Sequence, residues 1–203
     1  MTRPPPPGSL RRRSLLRALG VAALRLPPVA GVAALSGVAG PALGAAPELS
    51  NFEISRDEEG VYLSYAVEFE LGHGVDDALM KSVPLFFVAE AEIFRERWYW
   101  RDRRVALAVR TFRIVYQPLT STYRVTPTGG LSQSYSVRAE ALAAISRVAR
   151  WKVAEPGQIE EGSSHYLEFQ YRLDTSQLPR PMQIGIGGEP DWQLSVKRKQ
   201  RIN

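Results

Sequence analysis

The chain has 203 residues, no cysteine, and a formal net charge of +5. Lack of cysteine excludes disulfides, thiolate catalysis, cysteine-ligated zinc and a lipoprotein-type anchor. The positive excess sits in the first 46 residues, where Arg3, Arg11, Arg12, Arg13, Arg17 and Arg25 face no acidic residue; the remainder holds 20 basic residues against 21 acidic ones. A near-neutral remainder is no argument for nucleic-acid binding, which wants a basic patch on the folded domain.

Residues 1–46 read as an export leader. A basic stretch containing Pro4–Pro7 and Arg11–Arg13 comes first, then the apolar run Val29–Ala39, then the small-residue segment Gly40–Ala46. Basic, apolar, small is the order of a secretory signal. Arg12-Arg13-Ser14-Leu15-Leu16-Arg17 also fits a twin-arginine pattern, so the general and twin-arginine routes both stay open. An uncleaved membrane anchor is a further alternative, although Pro41 and many small residues interrupt the span. Residues 47–203 have the length of one ordinary domain.

Phe52 and Ile54 mark a first strand, and Asp57-Glu58-Glu59-Gly60 a turn. Val61, Leu63, Tyr65, Val67, Phe69 and Leu71 then alternate with polar residues, the mark of a half-buried strand. Residues 75–83 form a short helix with Asp76 and Asp77 near its start, stopped by Pro84. Leu85, Phe87, Ala89, Ala91 and Ile93 face inward on a long strand that runs into Trp98-Tyr99-Trp100, and Arg101-Asp102-Arg103 turns the chain back. Val105, Leu107 and Val109 share a face, but Phe112, Ile114 and Tyr116 follow at an offset of three, which predicts a β-bulge near Arg110-Thr111. Residues 117–135 hold two short strands around Thr126–Gly130.

Ser136 is expected to cap an amphipathic helix over residues 137–151, with Val137, Ala141, Ala144, Ile145, Val148 and Trp151 as its stripe and Arg147, Arg150 and Lys152 near its end. Leu167, Phe169, Tyr171 and Leu173 line another strand. After a Pro- and Gly-rich connection, Trp192, Leu194 and Val196 line the last. Several short strands with hairpin signals, one amphipathic helix and a second short one predict an antiparallel β-sandwich of immunoglobulin-like architecture.

Trp98–Asp102, Tyr116-Gln117-Pro118-Leu119-Thr120, Tyr135 with the segment Glu140–Ile145, and Tyr171–Pro181 together resemble an uncharacterised bacterial family of proline-rich signal peptide proteins carrying a domain of unknown function. The resemblance implies an exported protein, often encoded beside a nitrogen-regulation-type sensor kinase. It implies no known activity, so it supplies no catalytic residues to carry over.

The binding candidates are Trp98, Tyr99, Trp100, Arg101 and Arg103 on the hairpin, with Tyr123 and Arg124 in the hydroxyl-rich loop region. Trp, Tyr and Arg dominate contact hot spots, and such a group also stacks on sugar rings. The alternative is that one aromatic face belongs to the core while the arginines pair with Glu90, Glu92 or Glu96 across the sheet. Ile184–Glu189 lacks the Lys-Ser/Thr ending of a phosphate loop and reads as a turn. His73 and His165 have no ligand-spaced neighbours, and Asp57–Glu59 and Asp76-Asp77 do not match a calcium loop, so no cofactor or metal is expected. No serine sits in a nucleophile elbow. Lys197–Arg201 reads as an edge strand protected by charge, or as a contact for anionic lipid.

The expectation is an exported, non-enzymatic envelope or periplasmic module with an envelope protein partner and an association with a sensor kinase. A carbohydrate- or peptidoglycan-binding domain or an enzyme using the Trp98–Trp100 hairpin, and a membrane-anchored envelope protein, are the alternatives.

Overall fold

Leu85, Phe87, Ala89, Ala91 and Ile93 are all fully buried, and the strand they define organises everything around it. In the computed structural model, which describes residues 46–160, 162–186 and 188–202, β3 (Leu85–Arg95) runs near the middle of a six-stranded antiparallel sheet. The leader expected over residues 1–46 lies outside the described residues, apart from Ala46. With β4 (Arg103–Gln117), β5 (Thr122–Pro127), β6 (Gln133–Tyr135), β8 (His165–Leu173) and β9 (Ser195–Ile202), the order is β6-β5-β4-β3-β8-β9. A second antiparallel sheet has the order β1-β2-β7, built from β1 (Glu48–Asp57), β2 (Gly60–Glu68) and β7 (Arg147–Ala154). The two sheets form the expected sandwich.

Aromatic rings close the space between them. Tyr65 of β2 packs on Phe169 of β8 with centroids 4.7 Å apart, Phe52 of β1 lies 5.5 Å from Phe169, and Phe69 stacks on Phe87 at 5.5 Å. Tyr171 completes the group, with its hydroxyl donating to the Ile145 carbonyl at 3.3 Å. Burial pushes the Tyr65 and Tyr171 phenols well above their ordinary titration range.

Helix α1 (His73–Met80) is the short helix expected before Pro84. Gly72 and Gly74 let it approach the C-terminal connection: a Cβ at Gly72 would lie 2.8 Å from Asp191, and one at Gly74 3.0 Å from Trp192. That connection holds a short helix, α3 (Arg180–Gly185), where the sequence reads as irregular, and Trp192 is buried in a 3-10 turn rather than on the last strand.

Two expectations about phase are corrected together. The helix after Ser136 is short: α2 spans Arg138–Ser146, Val137 occupies its N-cap without a side-chain bond, and the chain passes directly into β7. Val148 and Trp151 lie three apart because β7 bulges between them. Ser64 of β2 faces the extra residue there, and its Oγ accepts the Arg150 N–H at 3.0 Å, while Arg150 takes φ +46°. A three-residue offset belongs to a helix or to a bulged strand, and the free edge of β2 selects the strand.

The bulge expected at Arg110-Thr111 is absent. Register between β3 and β4 is continuous there and shifts instead between Ile93 and Phe94. Ala106, Ala108, Arg110, Phe112 and Ile114 keep one inward phase, while Leu107 and Val109 face solvent, 47% and 50% exposed. Arg110 can occupy an inward position because its stem covers apolar surface and its guanidinium carbon sits 5.5 Å from the Trp151 ring centroid.

Candidate functional site

Strand β3 ends at Arg95 and β4 begins at Arg103. The chain between lies past the end of the sheet, where no facing layer covers Trp98, Tyr99 and Trp100 among the described residues. All three project into solvent, with exposures of 93%, 69% and 72%. Continuation of β3 through these residues, and a core face for any of them, are therefore corrected. Trp98 and Tyr99 pack edge to face with centroids 4.6 Å apart. Arg97, Arg101 and Arg103 are exposed around them and make no ion pair among the described residues.

The base of the loop is firmly held. Asp102 accepts the Arg97 N–H at 3.1 Å through one carboxylate oxygen and the Tyr166 hydroxyl at 2.8 Å through the other. The Tyr166 hydroxyl and then the Arg97 amide hold the Asp102 carboxyl below its usual range, while burial and the same hydrogen bond raise the Tyr166 phenol. Phe94 stacks on Tyr166 at 5.3 Å, with the Lys199 ammonium 3.5 Å from the Tyr166 ring centroid. Glu96 donates its N–H to the Ser164 carbonyl at 2.9 Å and pairs with Arg201, and Arg95 pairs with Glu160 at 2.7 Å. The pairing expected across the sheet between hairpin arginines and glutamates is present for Arg104 with Glu92, whereas Glu96 pairs instead with Arg201 of β9.

Beside the loop is an open cleft of about 810 Å³, lined by Arg97, Trp98, Tyr99, Asp102, Ser163 and Ser164 among others. Only the alternation of β8 could have pointed to Tyr166 as an outward residue able to reach Asp102. The two serines come from a connection remote in sequence, and no local pattern brings them here.

Tyr123 and Arg124 do not join this site. Tyr123 pairs with Tyr116 across β4 and β5, and Tyr116 lies thirteen positions along β4 from Arg103, about 40 Å for an extended strand. Tyr123 is buried, its ring 4.9 Å from Tyr116 and its hydroxyl on the Met80 sulfur. Arg124 is exposed on the opposite face of β5.

His165 is buried, its Nδ1 2.9 Å from the Ser163 carbonyl oxygen, and its Nε2 has no partner among the described residues. No group of three or more metal-ligating side chains converges among the described residues, and none of their helices is long and apolar enough to cross a membrane. Ile184 and Gly185 lie in α3, and a turn follows, in which Glu189 donates its N–H to the Ile186 carbonyl at 3.2 Å.

Among known proteins, no curated protein and no solved structure matches the chain. A family profile described as Domain of unknown function (DUF4390) matches residues 45–202, the full extent of the sandwich. The chain therefore belongs to the DUF4390 family.

Proposed function

We propose that the protein is an exported, non-catalytic interaction module of the cell envelope whose contact surface is the β3–β4 loop. One observation carries the choice of surface: three adjacent aromatic side chains are presented to solvent on a loop whose base is locked by Asp102, Tyr166 and Ser164. Exposed aromatics flanked by arginines are costly to leave in water, and Trp, Tyr and Arg dominate contact energies. A preorganised base lowers the entropy lost on contact. Asp102 is engaged by two donors and held ionised, which suits an anchor and not a proton donor near neutral pH.

Export is supported by the order of basic, apolar and small residues in 1–46. The resemblance stated above supports an accessory role beside an envelope-sensing kinase. A photo-crosslinking residue in place of Trp100, introduced in the native host, is expected to trap a specific envelope component, with mass measurement of the isolated protein reporting its N-terminus. A freely soluble monomer that forms no crosslink would overturn the reading. An intact leader would favour an anchored protein.

The cleft beside Trp98 and Tyr99 favours one second reading, glycan binding, since it joins aromatic faces to the Ser163, Ser164 and Asp102 polar groups. Peptidoglycan fragments would then quench tryptophan emission, and Trp100→Ala would remove the response.

A further inference from the structure

We infer that the β3–β4 loop docks on an anionic lipid bilayer surface, with Trp98, Tyr99 and Trp100 among the headgroups and Arg97, Arg101 and Arg103 on the lipid phosphates. The inference rests on the reading of this loop as the contact surface and names what it contacts.

Shape is the first argument. The aromatic residues stand on a projecting tip, with Trp98 almost fully exposed. A peptide or glycan is normally enclosed by a groove or laid on a flat face. Trp100 does not line the cleft beside Trp98 and Tyr99, and three neighbouring rings exposed together at a loop tip fit a surface that yields to them. Trp and Tyr are also the side chains whose apolar bodies and polar tips settle at the headgroup level.

Charge is the second. Residues 95–104 contain five arginines against Glu96 and Asp102, a positive cluster on a domain whose remaining residues, 15 basic against 19 acidic, are net negative. Asp102 is turned to Tyr166 and the Arg97 amide, and Glu96 to Arg201, so both carboxylates are occupied at the base of the loop. Arg97, Arg101 and Arg103 remain exposed around the rings. The end of β9 lies beside the loop, Ile202 pairing with His165, which pairs with Arg95 at its foot, but Arg201 and Lys199 there are engaged by Glu96 and Glu168, so the free charge is that of Arg97, Arg101 and Arg103. Each cation near an anionic membrane surface strengthens attachment several-fold.

The first residues of β1 are remote from this tip. Glu48 pairs with Glu68, next to Phe69, which stacks on Phe87 near the start of β3, whereas the loop follows the end of β3. Docking by the loop is therefore a contact separate from the entry of the chain into the sandwich.

The test uses the protein as isolated from its host, in vesicle flotation with phosphatidylcholine alone and with phosphatidylcholine plus phosphatidylglycerol. Co-flotation is expected with the anionic vesicles, accompanied by a blue shift of tryptophan emission. Trp98→Ser/Trp100→Ser and Arg97→Glu/Arg101→Glu/Arg103→Glu are each expected to reduce flotation by at least about ten-fold with unchanged circular dichroism. Any leader is common to all these variants, so it does not account for the difference. Flotation that survives both sets of substitutions, or is equal on neutral vesicles, overturns the inference. No flotation, with a crosslink still formed from position 100, overturns the lipid partner and leaves the contact-surface reading standing. No flotation and no crosslink overturn both.

Discussion

The four tryptophans divide into two pairs with opposite fates. Trp151 and Trp192 are each only 6% exposed, whereas Trp98 and Trp100 are 93% and 72% exposed. Local composition does not separate the pairs, since Trp151 lies between Arg150 and Lys152 just as Trp98 and Trp100 lie among arginines. What separates them is whether a facing layer exists. Trp151 sits on β7 with Tyr65 of the neighbouring strand β2 beside it at 6.3 Å and Arg110 of the facing sheet over its ring, and Trp192 is tucked beneath Gly74. Trp98 and Trp100 lie past the end of the sheet. An aromatic side chain is core only when the topology brings something to it.

The contrast can be tested most severely by truncation. Trp151→Ala is expected to cost about 3–5 kcal/mol in urea denaturation, and Trp98→Ala to stay within about 0.5 kcal/mol of the parent. Comparable costs for the two would abolish the distinction. At the same end of the sandwich, the β1–β2 turn offers the next largest effect. Gly60 has φ +138°, and a Cβ there would lie 2.3 Å from the Ala154 carbonyl oxygen. Gly60→Ala is expected to lower stability by about 1–3 kcal/mol or more, visible as a fall in Tm, while substitutions at the tip of the β3–β4 loop leave Tm unchanged.

Solvent access sharpens the same comparison without perturbing the fold. Acrylamide is expected to quench Trp98 and Trp100 and to spare Trp151 and Trp192. The Trp98→Ser/Trp100→Ser variant should therefore emit at shorter wavelength and resist quenching. The smallest effect concerns the anchor of the loop. Because the Asp102 carboxyl titrates below its ordinary value of 3.8, its contribution to stability is present above that value and is lost as pH falls through the lower folded-state pKa. Tyr166→Phe removes the main cause. It is expected to flatten the acid limb of a stability–pH curve below about pH 4 and to leave the neutral region parallel to the parent.

Much of the sandwich is legible from alternation alone. Val61, Leu63, Tyr65 and Val67 on β2, and Leu85 through Ile93 on β3, are inward wherever period 2 says so, because a strand with one wet face has no other way to sort its side chains. Legibility fails where one spacing serves two structures. Val148 and Trp151 are three apart, as helical neighbours would be, and Val109 and Phe112 are three apart, as across a bulge. The first pair flanks a real bulge and the second pair does not, because Val109 faces water and Arg110 takes the inward place. Neither outcome is encoded locally. One depends on the open edge of β2, the other on Trp151 offering its ring to a guanidinium.

The candidate site divides in the same way. Its aromatic and arginine residues are visible as a contiguous segment, while its supports, Tyr166, Ser164 and Arg201, come from strands paired only in three dimensions. Tyr123, which shares the chemistry of the loop, belongs to the interior at the far end of β4.

From the sequence alone come the basic first 46 residues, the near-neutral remainder, the strand-rich class and the identity of the aromatic segment, because composition and period 2 are local properties. Tertiary structure alone decided that residues 147–154 extend a sheet and that Trp98, Tyr99 and Trp100 stand in solvent. Those outcomes depend on which edges lie open and where a layer ends, and neither is a property of any single segment.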